Sequence, residues 1–129
     1  MIPSEPVPKR PPVEIRQSDA VAVAILLDKR VLGVRAQELF DDHLYPLADR
    51  LAGNGLIIDF SLVRYFGSDS FGRLLQLAAR VKEAKGWLRL CSIAPGLLEV
   101  FRVTRLDTRF DIDSDLHAAL EGSRPTAPG

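Results

Sequence analysis

The chain has 129 residues, 47% of them apolar, with 17 basic residues balanced by 17 acidic ones. That length points to a single domain with a substantial core. The charge balance argues against a nucleic-acid-binding surface, and no run of 18 apolar residues is present to span a membrane. The first residues lack the basic-then-apolar layout of a signal peptide, which makes the expected location cytoplasmic. One cysteine, Cys91, leaves no internal disulfide and no cysteine-based metal cluster.

Residues 1–12 hold five of the nine prolines and little apolar content. They are read as a disordered arm. Residues 13–17 alternate Val13 and Ile15 with Glu14 and Arg16, the pattern of an edge strand. Ser18-Asp19 make a turn. Residues 20–27, AVAVAILL, form a continuous apolar run and are predicted to be a central strand ended by Asp28-Lys29-Arg30. Residues 34–52 are predicted to be a helix with Phe40, Leu44, Leu47, Ala48 and Leu51 on one face. Pro46 removes a backbone donor inside it and predicts a kink near Asp42. Gly53-Asn54-Gly55 stops the helix.

The stretch from 56 to 77, LIIDFSLVRYFGSDSFGRLLQL, then organises the chain. Leu56, Ile57, Ile58 and Phe60 read as a buried strand interrupted by Asp59. Phe71, Leu74, Leu75, Ala78 and Val81 recur at helical spacing, with Arg73, Gln76, Arg80 and Glu83 between them. Gly67 at the joint is expected to permit an unusual turn, and Ser68, Asp69 and Ser70 are all helix-capping types. A strand entering a helix through small polar residues suits an anion or a docking partner. Residues 87–91 alternate as another strand, and Cys91 there reads as a buried structural thiol. Pro95 opens a short helix with Leu97, Leu98 and Phe101 as its buried face. A loop, a short strand at 110–112, and a small helix ending at Leu120 complete the order ββαβαβαβα. Residues 122–129 are read as a disordered tail.

Strand–helix alternation implies a mainly parallel sheet with helical cover. The order of elements and the central stretch resemble the STAS domain, the fold of bacterial anti-sigma factor antagonists. In that family a hydrophobic strand and a hydrophobic pair precede Asp-Ser-Ser-Gly-Leu-Gly at a helix start. Here Tyr65-Phe66 take the pair, Gly67 falls on Asp, Ser68 on the first Ser and Asp69 on the second. Ser70 falls on the first Gly, Phe71 on Leu and Gly72 on the last Gly. The resemblance implies an α/β class: one domain over residues 13–121, with a four- to five-stranded, mostly parallel sheet packed by helices.

The resemblance also implies a function. Such domains bind an anti-sigma factor that is a serine kinase; phosphorylation of the loop serine blocks binding and a phosphatase restores it. Asp69 stands at that serine, so any remaining control passes to Ser68 or Ser70. Residues 67–72 are thus the expected docking loop. Phe66 and Phe71 are expected to flank it. Asp59 is a supporting residue, either bonding a neighbouring loop or touching a partner. A constitutive docking module and a small-molecule-binding module are the alternatives.

No enzymatic activity, metal or cofactor is expected. A nucleophilic serine needs a base, and His43 and His117 are placed on helices away from the loop. There is no G-x-S-x-G elbow. The pairs Asp41-Asp42 and Asp113-Asp115 lack calcium-loop spacing. Residues 67–72 lack the lysine of a phosphate-binding loop.

Overall fold

A computed structural model describes residues 10–122, the Ser18 side chain excepted. The arm before Arg10 and the tail after Gly122 lie outside the described residues. Arg10, Pro11 and Pro12, which the sequence places in the arm, already lie against the domain. Pro12 is buried, and its carbonyl accepts the Leu27 N–H at 2.9 Å.

Five strands form the main sheet: β1 (Val13–Ser18), β2 (Val21–Leu26), β4 (Gly55–Asp59), β6 (Trp87–Cys91) and β7 (Asp111–Asp113), in the order β1-β2-β4-β6-β7. The first pair is antiparallel, joined by the tight turn at Asp19, and the other pairings are parallel. Parallel neighbours need crossover connections, and the helices supply them. The expected class, a mostly parallel sheet of four to five strands with helices on it, holds. Two further strands of two residues each, β3 (Arg30–Val31) and β5 (Tyr65–Phe66), pair in parallel beside this sheet.

The helix expected over 34–52 forms in three pieces. α1 (Gly33–Glu38) runs into a π-helical turn, Leu39–Leu44, and then α2 (Tyr45–Asp49). Pro46 has no N–H to give the Asp42 carbonyl, and just before it the Tyr45 N–H bonds back to Phe40, five residues earlier. The widened turn absorbs the missing donor where a kink was expected.

The long helix α3 (Ser68–Glu83) buries Ser70, Leu74, Leu77 and Val81. Leu77, rather than Leu75, is fully enclosed; Phe71, Leu75 and Ala78 are half-buried along with Trp87. Arg73 and Arg80 pair outward with Asp41 and Asp49, and Arg80 also lies over the Tyr45 ring. The main core lies between α1–α3 and one sheet face, built on Leu26, Leu39, Phe40, Leu44, Leu56, Ile58, Leu74 and Leu90. α4 (Pro95–Val103) closes its end through Leu97 and Phe101. The other face carries a smaller cluster of Val23, Ile57, Cys91 and Ala119 under α5 (Leu116–Gly122). No helix among the described residues is long and apolar enough to cross a membrane.

Candidate partner-docking site

The site begins where β4 ends. Asp59 is buried, and its carboxylate accepts the Ser61 N–H at 2.8 Å, turning the chain out of the sheet. Phe60 follows with its N–H on the Cys91 carbonyl. The chain returns as β5 and enters α3 through Gly67.

Val31 anchors the joint. Its carbonyl accepts both the Gly67 N–H at 2.9 Å and the Ser70 hydroxyl at 2.8 Å, so both of its lone pairs are used. Ser70 is fully buried as a result. It lies on the inner face of α3, not on the loop surface. The Asp69 carboxylate reaches sideways and accepts the Gly33 N–H at 2.9 Å, where α1 begins. Gly33 has a φ of +61°, a backbone setting that suits glycine.

Gly67 is needed for a different reason from the one expected. Its φ of −68° and ψ of 158° are ordinary extended backbone. A Cβ at this position would meet Asp69 Oδ1 at 2.5 Å and Leu32 Cβ at 2.9 Å, so the site lacks room for a side chain. None of Ser68, Asp69 and Ser70 is the N-cap of α3: Gly67 is, and its carbonyl takes the Ser70 N–H. Asp69 lies in the first turn, where a negative charge suits the helix dipole.

The phenylalanines expected to flank the docking surface lie beneath it. Phe66 is buried, edge-on to Phe60 at 5.5 Å and to Phe71 at 5.0 Å between centroids. Phe71 continues to Phe101 at 5.2 Å, and Phe101 to Phe110 at 6.3 Å. Ring pairs of this geometry stiffen the floor of the loop. Besides Asp69 and Gly33, the residues that reach solvent around it include Ser68, Gly72, Tyr65, Leu62 and Val34. The last three were not identified from the sequence: β5 is only two residues long, too short to show an alternation. Arg30 stacks over the Tyr65 ring. Beside it, an open groove of about 530 Å³ is lined by Arg10, Leu27, Asp28, Lys29, Arg30, Arg35 and Leu62. Asp28 is held there by a two-pronged bond from Arg35 at 2.7 and 2.9 Å, and this keeps the Arg35 guanidinium above its ordinary range.

His43 lies on the π-helical turn and His117 on α5. Cys91 is enclosed; burial first, and then the Asp59 carboxylate, push its thiol up to about 12. Among the described residues no cluster of His, Cys, Asp and Glu has the makings of a metal site.

A mostly parallel five-stranded sheet whose central strand leads, through β5 and Gly67, into a long helix is an α/β architecture. The STAS domain family model matches residues 13–119, and the chain belongs to that family. Solved structures share the fold. An anti-sigma factor antagonist (STAS) domain protein from Planctomyces limnophilus is 23% identical, with a TM-score of 0.78 over 85% of this chain and 96% of its own. An anti-sigma factor antagonist from Mycobacterium paratuberculosis is 19% identical, with a TM-score of 0.67 over 87% and 92%. The antagonist SpoIIAA in its unphosphorylated form is 16% identical, with a TM-score of 0.66 over 88% and 99%. A search of curated proteins found no significant match.

Proposed function

We propose that this protein is a non-enzymatic, cytoplasmic interaction module of the anti-sigma factor antagonist kind, acting in partner-switching control of transcription. Its partner on this reading is an anti-sigma factor that is also a serine kinase, with a phosphatase as the opposing enzyme. The observation that carries the reading is the loop of residues 67–72. It sits on a rigid aromatic floor, exposes Ser68, and has Val34, Leu62 and Tyr65 exposed along its rim. Exposed apolar side chains beside a stiff loop are the makings of a docking centre.

Asp69 stands at the family's phosphorylated serine, and a carboxylate cannot accept phosphate from a serine kinase. Ser70 is enclosed, with its hydroxyl committed to Val31. Control by phosphorylation therefore narrows to Ser68. A phosphate there would add about −1.5 to −2 charges in the middle of the surface. Constitutive docking without phosphorylation is the second reading, and the Asp69 replacement favours it. A small-molecule role rests on the groove at Asp28 alone and is the weakest of the three.

The test is to mix the purified chain with a candidate anti-sigma kinase from the same cytoplasm, with and without ATP. Switching predicts a complex that ATP dissolves, with phosphate on Ser68 by mass spectrometry. Constitutive docking predicts a complex indifferent to ATP. Absence of a complex with every such kinase would defeat both.

A further inference from the structure

We infer that Asp69 is a positioning residue, whose carboxylate ties the start of α1 to the β5–α3 loop and holds the docking site in one arrangement. This rests on the docking reading above and names how that site is set. A side chain that merely imitated a phosphate would present its charge outward. In this loop Oδ2 takes the Gly33 N–H at 2.9 Å, and Oδ1 lies 2.5 Å from where a Cβ on Gly67 would stand. Both oxygens are therefore turned along the loop. Asp69 is solvent-exposed, so its charge is screened by water and salt. The directed bond to a backbone donor is what the residue contributes specifically.

The tie has a consequence for the surface. Val34 directly follows Gly33, and Tyr65 stands two residues before Gly67. Fixing Gly33 to Asp69 fixes the backbone from which Val34 projects, while the β3–β5 pairing sets Tyr65. The apolar rim is preassembled in the free protein. Serine at 69 carries its oxygen one bond nearer the backbone and does not span to Gly33, so Asp69→Ser both creates a hydroxyl and loosens α1.

The experiment uses the full-length ¹⁵N-labelled chain by NMR, with no partner. Asp69→Ala is expected to speed exchange of the Gly33 amide about tenfold, the scale of losing one charge-assisted hydrogen bond. Asp69→Asn keeps an acceptor oxygen without the charge and should retain most of the protection. A Gly33 amide whose exchange ignores Asp69→Ala would overturn the assignment. Equal loss in Asn and Ala would overturn the directed-bond account in favour of charge. Because no partner enters, failure of the tie and failure of the docking reading are read separately.

Discussion

Gly67 and Asp69 share one small volume at the head of α3. The missing Cβ of one is where a carboxylate oxygen of the other lies. The family pattern has an acid at the first of these positions and serine at the second; here the acid has moved two residues on, and a glycine makes room for it. Gly67→Ala is therefore expected to destabilise by about 1–3 kcal/mol, the scale of overpacking. The cost should be smaller when Asp69→Ser is also present, because one of the two close contacts is gone; the Leu32 contact remains. A double-mutant cycle by urea denaturation measures the coupling, and additive effects would count against a shared space. Cys91 offers a second test at this scale. The unfolded chain releases the thiol proton near pH 9, and the folded chain holds it until about 12. Stability from the neutral thiol is whole below pH 9 and is lost as pH rises through that window, at up to about 1.4 kcal/mol per pH unit. Cys91→Ala should thus show a shallower decline in unfolding free energy as the pH rises from about 9 toward 12. Parallel curves would mean the thiol titrates alike in both states.

At the scale of elements, the start of α3 is fastened to β3 by the Gly67 N–H and one buried hydroxyl. Ser70 lies at the helical position that Leu74, Leu77 and Val81 continue, and its only polar group is spent on Val31. Ser70→Ala is expected to cost about 1–2 kcal/mol, since Val31 keeps the Gly67 N–H. Ser70→Asp would place an unpaired charge in the core and should cost about 3–5 kcal/mol. Melting curves separate the two, and a well-folded aspartate variant would show that the helix start is loose. The main strands and α3 were readable because long apolar runs and a 3.6-residue period span many residues. β3 and β5 were not, because two residues make no period. Their pairing is long-range: Val31 meets Phe66 only once the sheet has formed. Phe66, expected to flank the surface, is buried, and its burial was unreadable for the same reason. A hydrophobic pair at a loop gives no sign of which member faces in, until a strand is recognised and the alternation of its sides applied. The π-helical turn was half-legible, since Pro46 announced a missing donor but not the way the helix would accommodate it.

Across the whole molecule, apart from Ile15 on the edge strand β1, at 38%, the large apolar side chains exposed among the described residues mark two separate places. One is the loop rim, with Val34 at 75% exposed, Tyr65 at 48% and Leu62 at 44%. The other is the outer face of α4, with Val103 at 75% and Val100 at 41%. The chain as a whole carries no net charge, so long-range attraction does not choose between them. Packing beneath them does differ. The rim stands on the Phe60–Phe66–Phe71 stack and is fixed on both sides by β3 and the Gly33–Asp69 bond, whereas Val103 lies at the last residue of a nine-residue helix. A surface that is already rigid loses less entropy on binding. The rim should therefore carry the partner. Tyr65→Ala and Val34→Asp are each expected to weaken the complex by tenfold or more, about 1.4 kcal/mol or greater. Both should leave the melting temperature nearly unchanged, because exposed positions usually count for about 0.5 kcal/mol or less in folding. Val103→Asp is the matched control, equally exposed and equally charged, and is expected to bind as the parent does. Titration calorimetry against the kinase that forms the complex reads all three. If Val103→Asp abolishes binding while the two rim variants bind normally, docking runs through α4 and the loop of residues 67–72 is not the centre of the interface.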